Sequence, residues 1–439
     1  MRLIKHYWPF MAGALVLLAL LLLTTQLTTA HYEQSLQREM QRLNQTPGVG
    51  ATWFTYEEGL FHQRGELHLN LVDPAQLLRA LGLSTQAGVG QQLSQLGPLE
   101  LYLHVDTLLL PGYSRSEARL LTDRGSLALL QDSGQLQAGS LILQWQTPFW
   151  QDESRLQLTS DSWQWQGNHD QIHLDPWTLT LTRTEPGDWQ ATWQLAGLQL
   201  SHGDRSLALR GLTGQLHLMP ADEVWLIPQL QAQLQEASFQ QGDKPQLLLA
   251  GGALQGAVHE SKNGLLTLVD MQWRGTIDQL TLHQPSQHHE LQDLTMGLSL
   301  GGIDRQGYSA LFWSAITDFS DPQAWHAALN RVTRSGFHLQ LSPSQLRMQH
   351  GLLRAEGEIT SRPFDMAQLA GLASLRSLLQ GNLTLHADPQ LARQLSPSAE
   401  QLGELQQAGY IAPTAHGELL SQLRMVNGKL SANGYKLPW

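Results

Sequence analysis

An alternation of apolar and polar residues recurs through most of the interior of this chain, and it limits the fold more than any other feature. It appears in Leu99-Glu100-Leu101-Tyr102-Leu103-His104-Val105, Ser140-Leu141-Ile142-Leu143-Gln144-Trp145 and Trp163-Gln164-Trp165-Gln166. It returns in Trp177-Thr178-Leu179-Thr180-Leu181-Thr182, Leu207-Ala208-Leu209, Gln215-Leu216-His217-Leu218 and Thr276-Ile277-Asp278-Gln279-Leu280-Thr281-Leu282. Successive strand side chains point to opposite faces, so Leu and Trp line one face and Gln, Thr, Ser and His the other. One-sided sheets of this kind are antiparallel as a rule. Turn clusters separate the runs: Gly167-Asn168-His169-Asp170, Glu185-Pro186-Gly187-Asp188 and Ser201-His202-Gly203-Asp204. No long helical blocks alternate with the strands, which argues against a parallel α/β sheet. The expected fold is mainly β: a long antiparallel, sandwich-like body that folds over to bury its Leu/Trp face.

The chain has 439 residues and no cysteine, so a disulfide, a thiolate nucleophile and a zinc–sulfur site are all excluded. Stability must then come from burial. Charged residues make up 15%, against about 25% in typical soluble domains, and Gln, Thr and Ser take over the solvent-facing role. A net charge of −11 argues against a nucleic-acid partner, which requires a basic face.

The N-terminus reads as a membrane segment with a direction. Phe10–Ala30 opens with the uncharged run FMAGALVLLALLLL, preceded by Arg2 and Lys5. Its helical length of roughly 31 Å matches one hydrocarbon core. Tyr7 and Trp8 stand at interfacial positions, and Pro9 suits a first helical position. The positive-inside rule leaves the N-terminus in the cytoplasm and exports the remainder. The rival reading is a cleaved signal peptide, with Phe10–Leu23 as its apolar core and Thr28-Thr29-Ala30 as the cleavage site. Helical patterning continues past the run through Tyr32, Leu36, Met40 and Leu43, which favours a retained anchor.

Pro47-Gly48 breaks the helix. Trp53, Phe54 and Tyr56 then lead into Glu57-Glu58-Gly59, followed by Leu60, Phe61 and the alternating Glu66–Leu71, a hairpin turning at Gly59. Helices are expected only near the ends. Asp73-Pro74, Asp321-Pro322 and Asp388-Pro389 each place an N-cap acceptor before a proline. Trp325, Leu329 and Val332 share one helical face, and Met366, Leu369, Leu372, Leu375 and Leu379 form another stripe with Gly381 as its stop. Asp388–Gly409 reads as two short helices broken at Pro397, with Ser398 and Gln401 as a capping box. Asn427-Gly428 turns a last hairpin. The expected organisation is an anchor over 1–30, a juxtamembrane helix over 31–46, a β body over 47–319 and a mixed helix/hairpin part over 320–439.

The order of these end motifs resembles the YdgA-like family, a bacterial domain of unknown function found in Gram-negative inner-membrane proteins. The likeness is carried by Tyr56-x-x-Gly59-x-Phe61 after a hydrophobic anchor and short helix, by Leu339-Gln340-Leu341-Ser342-Pro343 with the strand residues to Ile359, and by Leu423–Gly434 with its Asn427-Gly428 turn. It covers about a quarter of the chain; the middle matches only in its β character. The resemblance implies a single-pass inner-membrane protein with a periplasmic body, and it implies no catalytic residue.

Candidate chemistry is sparse. The segment His283-Gln284-Pro285-Ser286-Gln287-His288-His289-Glu290 lacks the convergent ligands a metal requires and reads as a solvated loop. The chain carries no zincin helix motif, nucleophile elbow or phosphate loop; Gly88-Val89-Gly90 is too short for the last. The carboxylate neighbours Glu57-Glu58, Asp152-Glu153 and Asp222-Glu223 would face opposite sides of a strand. No catalytic residue, metal or cofactor is therefore assigned. Seven of the 14 tryptophans fall between Trp145 and Trp193. Trp163, Trp165, Trp189 and Trp193 read as core, as lipid or partner contacts, or as a sugar platform. The leading expectation is a non-enzymatic envelope scaffold or binding protein, with lipid or another envelope protein as partner. A lipid-binding or transfer element using an apolar groove is the alternative, and an envelope-polymer hydrolase the third. An exposed apolar trough would favour lipid; a sealed core would favour scaffolding.

Overall fold

A computed structural model describes residues 24–26, 28–38, 40–59, 61–72, 98–148, 153–167, 170–185, 187–221, 224–242, 244–263, 266–284, 287–316, 322–349, 351–366, 376–395 and 398–437. Several expectations lie outside these residues: most of the anchor (1–23), the Asp73-Pro74 helix, Gly88-Val89-Gly90, the caps at Asp321 and Pro397, and Leu369–Leu375 of the helical stripe. Among the described residues no helix is long and apolar enough to cross a membrane. The backbone divides into two compact units, Met1–Trp193 and Gln194–Trp439.

The first unit opens with helix at 24–26, 28–38 and 40–45. Its strands are β1 (Val49–Glu58), β2 (His62–Leu71), β3 (Leu99–Leu110), β4 (Tyr113–Leu121), β5 (Leu136–Gln137), β6 (Leu141–Pro148), β7 (Ser154–Ser160), β8 (Trp163–Gln166), β9 (Asp170–Leu174) and β10 (Trp177–Glu185). β11 (Asp188–His202) runs across the division. Antiparallel pairing links β1, β2, β3, β4, β6, β7 and β10 in that order. A second ribbon joins β5, β8 and β9, and β9 also pairs with β11. The first hairpin turns where expected: the Gly59 N–H donates to the His62 carbonyl at 2.8 Å. Behind this sheet lies the N-terminal helix, with Tyr32 9% exposed and its hydroxyl 2.9 Å from Thr107 Oγ1.

The second unit is built from β12 (Arg205–Ala221), β13 (Val224–Gln241), β14 (Lys244–Asn263), β15 (Leu266–Gln284), β16 (Gln287–Asp304), β17 (Phe337–Met348), β18 (Gly351–Ser361) and β19 (Leu379–Ala387), paired in sequence order. β21 (Leu419–Val426) follows β19, flanked by β20 (Ala412–Pro413) and β22 (Lys429–Ala432), with β23 (Tyr435–Lys436) last. These pairings are all antiparallel, as the alternation requires. Asn427 and Gly428 take φ of 49° and 76°, so both turn residues are left-handed, the geometry a two-residue hairpin demands.

Five helices are numbered in chain order: α1 (Gly125–Asp132), α2 (Arg305–Ile316), α3 (Pro322–Ser335), α4 (Pro389–Leu395) and α5 (Ala399–Gln407). The stripe Trp325, Leu329 and Val332 falls on α3, and Ser398 caps α5 by accepting the Gln401 N–H at 3.1 Å. Three expectations are corrected. Helices are not confined to the ends: α1 interrupts the β body, and α2 lies inside the 47–319 span. α1 has eight residues, too few for a periodic stripe, and no side-chain cap. α2 is started by the last residue of β16, whose Asp304 Oδ1 accepts the Gly307 N–H at 2.5 Å. Gly381 stops no helix. It pairs with Ile359 and Met425 inside β19, where a Cβ would strike the Glu358 carbonyl. The His-rich segment is likewise strand at 283–284 and 287–290, with His283 opposite His288.

The helices α2 and α3 cover one end of the second sheet. Leu226, Ile227, Val258, Val269 and Ile303 from the strands pack with Tyr308 and Val332 from the helices, all 9% exposed or less.

Candidate functional site

Beyond those helices the same sheet face stays apolar but uncovered. Rows perpendicular to the strands share a face. One row holds Leu230, Gly256, Trp273, Leu298 and Leu341, and the next Ala232, Leu254, Gly275 and Met296. A third holds Leu234, Gly252, Ile277 and Leu294. Leu254 and Met296 are 41% and 53% exposed. The second and third rows floor a trough of about 300 Å³, at the low end of small-molecule sites.

The face continues past an irregular line. Gly211, Gly251 and Asp293 have φ of 63°, 64° and 50°. Regular pairs bracket them, with Gln235 and Asp278 between, on five successive strands and without a change of register. A Cβ on Gly211 would meet the Gln235 side chain, and one on Gly251 the Asp278 carboxylate, so only glycine fits these two left-handed positions. Asp tolerates that conformation better than most residues. Asp293 also accepts from Arg347 Nε at 3.0 Å. Left-handed residues on three of the five strands, in line with Gln235 and Asp278 on the other two, shift the side-chain alternation by one. The next apolar row is therefore Ala237, Leu249, Leu280 and Leu291. It lies on the same face as the third row: a Cβ on Gly252 would stand 3.4 Å from Leu249 Cδ2. The crease keeps a single apolar face along strands of up to 20 residues.

The opposite face carries a polar hollow of about 720 Å³, whose central row is Gln231, Gln255, Arg274, Gly297 and Ser342. Among the described residues no carboxylate lines it. A further hollow of about 470 Å³ does bring two together, Glu290 and Asp388. Both carboxylates are engaged: Glu290 Oε1 accepts from the Gln279 and Gln292 amides at 2.8 and 2.7 Å, and Asp388 Oδ2 takes the Leu352 N–H at 2.7 Å. Among the described residues no group of three His, Cys, Asp or Glu is arranged to hold a metal ion.

The tryptophans singled out in sequence stand in the first unit. Trp163 and Trp165 share one face of β8, opposite Leu174 and Ile172 of β9, and are half-buried. The Trp163 Nε1–H donates to Ser160 Oγ at 2.7 Å. Trp189 and Trp193 lie on β11, the other neighbour of β9, and are also half-buried. Tyr56 is 60% exposed; its hydroxyl donates to Glu66 Oε2 at 2.6 Å, and Arg124 Nη1 donates to the same oxygen at 2.9 Å. The bond to Glu66 raises the Tyr56 pKa. The hydrogen bond from His62, then its charge, lowers that of Glu57. Tyr308 is 2% exposed, and burial pushes its phenol up to about 12.

Sequence reasoning missed the crease and the hub at Asn433. Asn433 has φ of 50°, accepts the Gln422 N–H at 2.8 Å and donates to the carbonyls of Gly409, Tyr410 and Leu420 at 3.2–3.3 Å.

No curated protein and no solved structure matches the chain. A family model described as bacterial protein of unknown function (DUF945) matches residues 153–439, a span that takes in the trough, the crease and the Asn427-Gly428 hairpin but not Tyr56, Gly59 or Phe61. With well over half its length matched, the chain belongs to this bacterial family of unknown function.

Proposed function

We propose that the chain is a membrane-tethered, non-enzymatic binding protein of the bacterial envelope, whose uncovered sheet face takes the aliphatic part of a lipid. One observation carries this reading: the apolar rows continue beyond the helical cover and leave Leu254 and Met296 open to solvent. Soluble monomers rarely leave large apolar patches without an occupant. Each methylene laid against such rows contributes about 0.8 kcal/mol, with no directional contact needed. The tether rests on Phe10–Leu23 behind Arg2 and Lys5, and the YdgA-like likeness on Tyr56, Gly59, Phe61 and the Asn427-Gly428 turn. The test is mass spectrometry of lipid extracted from the full chain after mild detergent purification. Phospholipid or glycolipid should co-purify with the wild type and be lost from the double variant Leu254→Lys/Met296→Glu. A lipid-free wild type, or a variant that keeps its lipid, refutes the reading.

A further inference from the structure

We infer that the first unit docks on the bilayer through its β1–β2 and β3–β4 hairpin tips, with Phe61, Leu108 and Leu110 in the boundary between headgroups and acyl chains. The inference rests on the tether proposed above, and it assigns a membrane-facing edge that the tether alone does not specify.

Three observations point the same way. The first is placement. The described helix begins at Thr24, the residue that follows the apolar run Phe10–Leu23 in sequence. Its first turns are bonded to the β3–β4 hairpin: Thr28 Oγ1 accepts the Gly112 N–H at 3.1 Å, and the Tyr32 hydroxyl meets Thr107 Oγ1 at 2.9 Å. Thr25 and Thr28 are 0% and 4% exposed, so this part of the helix is held against the sheet. The span Phe10–Ala30, roughly 31 Å and about one hydrocarbon core, ends two residues beyond Thr28, so the turn at Gly112 falls at the outer boundary of that core.

The second is direction. β3 runs from Thr107 toward its tip while the helix runs from Tyr32 back toward Thr28, and the far end of the helix is tied to the base of β1, where the Ala51 N–H donates to Asn44 Oδ1 at 2.7 Å. Both hairpin tips thus lie at the anchor end. They are joined to each other, since the Leu109 N–H donates to the Phe61 carbonyl at 2.7 Å.

The third is the surface. On β3, Leu109 is fully buried beneath the helix, while Leu108 and Leu110 face outward at 42% and 38% exposure, beside Phe61 at 45%. Charges flank the tips: Arg115 of β4 stands opposite Leu108 and Glu58 ends β1, while further back Arg64 donates to Glu57 and Asp106, each at 3.1 Å, and His62 meets Glu57 at 3.0 Å. An apolar tip flanked by charges suits a bilayer boundary, where aromatic and aliphatic side chains insert and charges remain in the wet layer.

The chain has no native cysteine, so single thiols report without background. Full-length Leu108→Cys, Leu110→Cys and Leu129→Cys variants would carry a polarity-sensitive fluorophore in phosphatidylethanolamine/phosphatidylglycerol vesicles containing brominated lipid. Leu129 is the control. It is 71% exposed but lies on α1, which is fixed to the other end of β3 by the Glu100 N–H donating to Ser126 Oγ at 2.9 Å. Labels at 108 and 110 should be quenched at least three-fold more than the label at 129. Vesicle-bound protein with equal quenching at all three sites overturns the docking edge and leaves the tether standing. Protein that fails to float with the vesicles overturns both.

Discussion

Replacing Gly251 with alanine tests the crease directly. The position has φ of 64°, and an added Cβ would strike the Asp278 carboxylate on the neighbouring strand. The left-handed conformation alone costs an L-residue about 1–2 kcal/mol. Forcing Asp278 aside adds about 1 kcal/mol or more, by analogy with overpacking. A loss of about 2–3 kcal/mol is expected for Gly251→Ala. In an Asp278→Gly background the collision vanishes and the backbone cost of about 1–2 kcal/mol remains, so the cycle should show a coupling of about 1 kcal/mol. Gly275, one strand over, has no left-handed φ, and a Cβ added there would meet nothing within 4 Å. Gly275→Ala should be neutral or slightly stabilising. Hydrogen exchange of the intact protein, read on peptides from β14 and β15 under increasing urea, separates these outcomes without assuming that both units unfold together. A Gly251→Ala cost below about 0.5 kcal/mol, or no coupling to Asp278, would show that the crease does not constrain the backbone as argued.

Other consequences are open to measurement. Asn433→Ala removes one accepted hydrogen bond and two N–H donors shared among three carbonyls, at a left-handed residue; it should cost about 2–4 kcal/mol and loosen β21–β22 first in hydrogen exchange. Tyr308 has a folded pKa above its unfolded value near 10. Its contribution is therefore complete below pH 10 and is lost as pH rises toward about 12. Tyr308→Phe should flatten that alkaline loss in a pH-dependent melt and leave neutral-pH stability unchanged or higher by about 1 kcal/mol. Glu57 is held below its ordinary value by His62 and Arg64. Its contribution to the β1–β2 hairpin is therefore present above that value and lost as acid takes the pH through the lowered one. Hydrogen exchange on β1 should rise in that window, and Glu57→Gln should remove the pH dependence.

What could be read in advance follows from the length over which each pattern persists. Period-two alternation is sustained in nearly every strand, so the antiparallel sheet was legible, as were the turns at Gly59 and at Asn427-Gly428, the second because both its residues are left-handed and few residue types accept that geometry. α1 was not, because eight residues give barely two turns of periodicity, and Gly381 misled because glycine also marks close approach of strands. The crease left a signal that alternation alone hides. Leu209-Arg210-Gly211-Leu212, Leu234-Gln235-Glu236-Ala237, Leu249-Ala250-Gly251-Gly252, Ile277-Asp278-Gln279-Leu280 and Leu291-Gln292-Asp293-Leu294 each step three residues between face positions instead of two. Any one of these reads as a lapse in pattern. Five at matching distances from successive turns specify a line across the sheet. Asn433 carries no such signature, since its partners come from 11 to 24 residues away.

The sizes of the covered and uncovered areas bear on what the apolar face is for. At about 3.3 Å per residue and 4.8 Å between strands, the five long strands β12–β16 present a face of roughly 1,400 Å². α2 and α3, with 12 and 14 residues, are about 18 and 21 Å long and about 10 Å wide, and together shade about 400 Å². The sequence nevertheless keeps Leu, Ile and Met on the unshaded rows, and at the crease it inserts one residue per strand so that the apolar set does not rotate to the other side. Selection for a sealed core alone would place polar residues where the helices stop. Continuing the apolar rows, with Met296 and Leu254 open, fits a face filled by something other than the chain's own helices. The Leu254→Lys/Met296→Glu variant separates the two accounts: a purely structural face should lose stability when charged, whereas a binding face should lose its lipid and keep its fold.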